Sequence, residues 1–171
     1  MNEIFDLIVL GAGSGGIATA RRAASYGARV AIIESGRLGG TCVNVGCVPK
    51  KVMWNAASLA HGLEMAGDYG FKLSRHGFDW PVMKKKRDDY IVRLNEIYQR
   101  NLDLDEIKMF QGHGRLVDAH TIEVVDPHNQ ASEKLAIEGR HVLIATGGRP
   151  SVPDIPGAEY GITSDGFFEL E

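Results

Sequence analysis

Cysteine is scarce here, with two residues in a chain of 171. A pair that small cannot frame a disulfide-stapled scaffold. It also offers too few ligands for a zinc site, and no histidine lies in the stretch that holds it. Long apolar runs are lacking as well. Nothing approaches the roughly 20 apolar residues of a membrane-spanning helix. The opening Met1-Asn2-Glu3 has no basic region, so no secretory signal is expected. Neither sign of charge dominates: the formal net charge is −3, which implies no footprint for nucleic acid or an anionic membrane. Repeats and low-complexity tracts are missing too. What remains is 44% hydrophobic and 24% charged, the profile of one soluble globular domain with a sizeable core. A reducing, cytoplasmic compartment is expected, where a lone close cysteine pair is more often catalytic than structural.

Both cysteines fall in Gly39-Gly40-Thr41-Cys42-Val43-Asn44-Val45-Gly46-Cys47-Val48-Pro49-Lys50-Lys51, with four residues between them. In a regular helix, Cα atoms at that spacing stand roughly 8 to 9 Å apart. A disulfide wants about 4.4 to 6.8 Å. The segment therefore cannot be regular helix if the pair is to close, and Asn44 and Gly46 tolerate the irregular backbone required. Pro49 suits the first turn of a following helix. That leaves Cys47 at or just before a helix N-terminus, where partial positive charge favours a thiolate. Lys50 lies one turn further on. Spacing alone leaves two readings level: a dithiol made to open and close, or cysteines with a purely structural role.

The chain opens on a nearly continuous apolar run, Ile4 to Leu10, as a buried parallel strand requires. Gly11-Ala12-Gly13-Ser14-Gly15-Gly16 follows at once. Gly11, Gly13 and Gly16 satisfy the dinucleotide fingerprint, with a helix from Ile17 to Tyr26, a stop at Gly27 and a second strand from Arg29 to Ile33. Glu34 stands 18 residues after Gly16, close to the spacing of an acid that grips a ribose. Its carboxylate would repel a 2′-phosphate, so this site is not built for NADP, and Arg37 is expected to be a solvated turn residue. The motif alone does not separate FAD from NAD.

Helical spacing continues from Val48 to about Ala66, with Val52, Ala56, Leu59, Leu63 and Ala66 on one face. After a loop over 67–77, a long amphipathic helix is expected from about Trp80 to Leu102. The basic run Lys84-Lys85-Lys86-Arg87 within it reads as a solvated face. The period then changes. Lys108 to Gln111, Arg115 to Val117, Thr121 to Val125 and Lys134 to Ile137 read as short antiparallel strands. Turns are expected at Asp118-Ala119-His120 and Asp126-Pro127-His128-Asn129. His141 to Ala145 reads as another buried strand, followed by Thr146-Gly147-Gly148, and Pro150 to Pro156 as a crossover.

The cysteine segment, the glycine loop and the alanine-threonine-glycine turn together resemble the pyridine nucleotide-disulfide oxidoreductases. The run from Cys42 through Val52-Met53-Trp54 is similar to the members of that family that reduce glutathione disulfide. The resemblance implies an α/β fold: an FAD-binding Rossmann-like parallel sheet with helices and a small antiparallel β-meander insertion at about 115–138. Residues 1–171 would form the N-terminal segment of the flavin domain, with the crossover from about 150. The nicotinamide and dimerisation domains, and the partner-supplied acid–base histidine of the homodimer, would be absent, and the chain inactive alone. Electrons would pass from NADPH through FAD to a redox disulfide of Cys42 and Cys47, then to glutathione disulfide. Cys42 would be the interchange thiol and Cys47 the charge-transfer thiol facing the flavin, with Lys50 near the flavin N5.

Positions matching flavin contacts are Gly11, Gly13, Ser14, Gly15, Gly16, Glu34, Thr41, Cys42, Lys50, Gly114, Thr146 and Gly147. Ser14, Arg21, Tyr98 and Asn101 match positions that touch glutathione, where Arg21 can meet a carboxylate. His113 is expected to be structural. Alternatives are a non-catalytic FAD-binding module or a related reductase, such as one acting on dihydrolipoamide or on trypanothione. A polyamine conjugate like trypanothione would be poorly served by Arg21.

Overall fold

The computed structural model describes residues 4–74, 76–126 and 135–171. Strand β1 (Ile4–Leu10) lies at the centre of a six-stranded sheet, where Ile8 and Val9 are fully enclosed. The glycine loop leads into α1 (Ser14–Ala24), which buries Gly16, Ile17 and Ala20. Strand β2 (Val30–Glu34) then pairs parallel with β1. The connection to the next strand carries three helices: α2 (Gly40–Asn44), α3 (Cys47–Met65) and α4 (Trp80–Leu104). Helix α4 starts where it does because the Asp79 carboxylate accepts a hydrogen bond from Val82 N–H at 2.9 Å and Pro81 fits the first turn. Strand β3 (Lys108–Gln111) follows, then β4 (His113–Leu116), β5 (Thr121–Val125) and β6 (Leu135–Ile144). The strand order is β3-β2-β1-β6-β5-β4.

The sheet is covered on both faces. On one side α1 and α4 bring Ile17, Ala20 and Leu102 against Val9 and Ile32. On the other, Ile122, Val124 and Ile137 of the antiparallel strands lie over Phe5, Ile8, Leu10 and Ile33. Each large aliphatic side chain enclosed this way contributes about 1.5–3 kcal/mol relative to exposure. Three layers result: helices, parallel sheet, meander. No helix among the described residues is long and apolar enough to cross a membrane.

Several expectations need correction. Strand β3 has the expected residues but pairs parallel with β2, Ala31 beside Lys108 through Glu34 beside Gln111. It belongs to the main sheet, because the helical connection before it returns the chain in the same direction. The two strands expected at Lys134 to Ile137 and His141 to Ala145 are one strand. The first half of β6 runs antiparallel to β5 and the second half parallel to β1. Gly139 lies between the halves, and its amide donates to His120 O at 2.8 Å. A side chain there would press into Ile8, 2.6 Å from its Cγ1. Residues 127–129 of the expected turn and Lys134 lie outside the described residues.

The face predicted from Val48 to Ala66 is covered only in part: Val52, Ala56 and Ala66 are half-buried, whereas Leu59 is 66% exposed and Leu63 is exposed too. The basic run is only partly a solvated face. Lys85 is exposed and paired with Asp89, whereas Arg87 is 2% exposed. Its Nη2 donates to Phe168 O at 2.7 Å, and Nη1 stands 3.6 Å from Met53 Sδ. Lys84 meets Glu171 at 3.0 Å. These contacts hold α5 (Ser164–Glu169), a helix the periodicity did not predict, against α3 and α4.

Candidate functional site

The glycine loop is shaped by close backbone approach. A Cβ on Gly16 would collide with the Gly11 carbonyl oxygen, and one on Gly11 with the Ala145 carbonyl. The loop can therefore turn sharply from β1 into α1 only without side chains. Helix α1 begins at Ser14 with Gly13 at its N-cap, so it has no side-chain cap, and no acidic residue lies in its first turn. Its first N–H groups are left for an incoming anion. Beside Gly11 lies a cavity of about 290 Å³ that also takes in Glu34, His113, Gly114, Thr146 and Gly147. Five of the expected cofactor residues thus share one recess. His113, expected to be structural, is exposed at its wall. Glu34 holds the loop itself: its carboxylate accepts from Ala12 N–H and Gly36 N–H, both at 2.7 Å. Gly114 has a packing reason as well, since a Cβ there would stand 2.6 Å from Leu10 Cδ2.

The cysteine segment docks on the same loop. Gly39 N–H donates to Ala12 O at 2.8 Å, and Gly13 bridges Gly39. A Cβ on Gly40 would stand 2.8 Å from the Gly13 Cα. The segment is two helices, not one. Helix α2 carries Cys42 and ends at Asn44, the backbone breaks at Val45 and Gly46, and α3 starts at Cys47. The break lets the thiols meet despite their spacing. Gly46 is required sterically, because a Cβ would lie 2.7 Å from Thr41 O. Both cysteines are free thiols, Cys47 exposed and Cys42 half-buried. The Cys42 thiol is pushed up, first by its bond to Cys47, then by burial and by the negative charge Cys47 can carry. Hydrogen bonds from the Cys47 backbone N–H and, more weakly, from the Ser14 hydroxyl work in the opposite direction.

Ser14 also lines a second cavity, of about 450 Å³, shared with Ala18, Arg21 and Tyr98. Three of the four expected substrate residues are brought together there, next to Cys42. Asn101 does not line it. Arg21 is not free, as its Nε donates to Asp105 at 2.5 Å. Lys50 is exposed and sits at the edge of an apolar groove of about 470 Å³ with Met53, Trp54 and Trp80. Thr41 is exposed on α2, and Gly15 is open on α1.

Residues 5–170 match the pyridine nucleotide-disulphide oxidoreductase family. The chain belongs to that family. It is 53% identical over 174 residues to a glutathione reductase of Schizosaccharomyces pombe, and 49% identical over 173 residues to one of Yarrowia lipolytica. The alignments take in 100% and 98% of this chain but 37% of each relative. Sequence reasoning missed three residues around the site. Asp105 pairs with Arg21 across 84 positions, and Asn95 bonds to Asn44 across 51. Arg87 was read as solvated. Helical spacing could have placed Asn95 one turn before Tyr98, but it carries no sign of the partner.

Proposed function

We propose that this chain carries the flavin and dithiol part of a glutathione-disulfide reductase. The observation that carries the reading is the contact sequence from Ser14 to Cys42 to Cys47, which joins the Arg21 and Tyr98 cavity to a dithiol packed on the glycine loop. The residues present fit FAD: side-chain-free backbone at Gly11 and Gly16, uncapped N–H groups at the start of α1, and a recess holding Glu34 and Thr146. Bound there, FAD would supply the electron path from NADPH to the cysteine pair. Gly13, Ser14, Gly15 and Gly16 would hold the pyrophosphate through N–H groups. Gly114 and Gly147 would border the nucleotide, and Thr41 and Lys50 the isoalloxazine side. The same reading assigns the nicotinamide site, the acid–base histidine and the homodimer contact to the part of the relatives' length that the chain does not span. Its compartment would be the cytoplasm.

The chemistry assigned to this chain is two thiol–disulfide exchanges. The Cys42 thiolate attacks one sulfur of glutathione disulfide; a Cys42–glutathione bond forms and one glutathione thiolate leaves. Cys47 then attacks the Cys42 sulfur; the Cys42–Cys47 bond forms and the second glutathione leaves. Two electrons pass from the dithiol to the substrate, and the thiol protons go to the departing thiolates. Arg21 would hold a carboxylate of the peptide, with Tyr98 beside it.

The pre-reduced chain alone tests this. Mixed with one equivalent of glutathione disulfide, it is expected to release two glutathiones and lose two hydrogens by mass. Cys47→Ser is expected to stop as the Cys42–glutathione mixed disulfide. Cys42→Ser is expected not to turn the substrate over. A stable adduct on Cys47 in Cys42→Ser, with none on Cys42 in the other variant, would reverse the two roles; no exchange by the native dithiol would sink the reading.

A further inference from the structure

Between the two cysteines, Asn44 is 8% exposed. Its Nδ2 lies 3.0 Å from Leu38 O and 2.9 Å from Gly40 O, with Arg37 O at 3.5 Å. Carbonyls on that side fix which end of the amide is NH₂, so Oδ1 faces the other way. There it meets α4: Asn95 Nδ2 donates to Asn44 Oδ1 at 3.1 Å and to Leu38 O at 2.7 Å. Leu38 O accepts from both asparagines, and both protons of the Asn95 amide are used.

Helix α2 needs this support. Five residues cannot hold a helix by their own hydrogen bonds. The chain enters it through Gly39 and Gly40, both at positive φ, and leaves it at the Val45–Gly46 break. The position of Cys42 relative to Cys47 is therefore set by contacts beyond α2's own hydrogen bonds: the docking of Gly39 and Gly40 on the glycine loop, the burial of Val43 and the Asn44 amide.

We infer that the Asn44–Asn95 pair is a positioning latch: it fixes the approach of the Cys42 and Cys47 thiols and so sets how readily they close to a disulfide. This rests on the redox role proposed above for the two cysteines. Asn95 touches neither sulfur in the hydrogen-bond network and acts through Asn44. It lies one turn from Tyr98 on α4, so the helix that lines the Arg21 cavity also holds the redox segment.

The test equilibrates the chain in glutathione redox buffers and measures the Cys42–Cys47 disulfide by alkylation and mass. Closure depends on the effective concentration of one thiol at the other, and loosening α2 lowers it. Asn95→Ala is expected to lower the closure constant about tenfold, which raises the potential by about 30 mV for this two-electron couple. Asn95→Ser, which keeps at most one of the two donors, is expected to fall between Asn95→Ala and the native chain; it serves if the alanine variant does not fold. Gln99→Ala removes an exposed bond to Asp103 from the same helix and is expected to leave the constant unchanged. A folded Asn95 variant within twofold of native, or an equal fall in Gln99→Ala, would overturn the latch and leave the redox role standing. A native chain that closes no disulfide would overturn both.

Discussion

Cys42 shows how a residue's chemistry is set by what touches it. Its thiol is pushed up chiefly by Cys47, while Ser14 lowers it. Alkylation follows the thiolate, so while the thiol is still mostly protonated this sulfur is expected to react more slowly than an ordinary thiol. Removing the largest cause with Cys47→Ala is expected to move the midpoint of its pH–alkylation profile down. Removing the smaller of two opposing donors with Ser14→Ala, which leaves the Cys47 backbone N–H in place, is expected to move it up. Rates of iodoacetamide labelling at Cys42 against pH decide both signs; a shift the same way in both variants contradicts the contacts described. The type and spacing of these residues were legible in sequence. The contact between Ser14 and Cys42 was not, because it depends on how closely Gly13 and Gly40 pack.

At the scale of elements, the turn from β1 into α1 separates two adjacent glycines. Gly16 has the Gly11 carbonyl against it, a backbone atom that cannot swing aside, whereas Gly15 has nothing within 4 Å. Gly16→Ala is expected to destabilise by about 2 kcal/mol or more, as overpacking does. Gly15→Ala lies in the first turn of a helix and is expected to be neutral, or to stabilise by up to about 1 kcal/mol. Urea unfolding midpoints check the pair, and equal losses would refute the packing described. Elements whose signal is local were read well: β1 and β5 have the predicted residues, and α4 runs two residues past its expected end. The division of β6 into two strands was wrong, because Gly139 falls in the gap left between them. In the fold it is the point where one strand exchanges an antiparallel neighbour for a parallel one.

For the whole molecule, the buried Arg87 joins parts of the chain far apart in sequence. Its bond to Phe168 O spans 81 positions and holds α5 down. A charged hydrogen bond of this kind is worth about 1.5–3 kcal/mol. Arg87→Met keeps an apolar stem but no donor, so opening of α5 should become easier by about that amount, tenfold or more in population. Limited proteolysis is expected to cut near residues 158–164 at least tenfold faster in the variant, while the far-ultraviolet dichroism of the core changes little. An unchanged cutting rate would mean that α5 is held by its phenylalanines instead. The basic run looked uniform in sequence, since helical periodicity does not say which of four neighbouring cations the next layer will cover.

The sequence by itself determined whatever backbone geometry decides within a few residues. The glycine turn, the helix that starts at Cys47 and the break that lets two cysteines meet are all of this kind. Each follows from the presence or absence of a side chain or a ring at one position. Tertiary structure alone decided the pairings across long separations: Arg21 with Asp105, Asn44 with Asn95, Arg87 with Phe168, and Glu34 with the loop it supports. Such partners are chosen by the packing of helices and strands, which brings polar groups into dry places where each must find another.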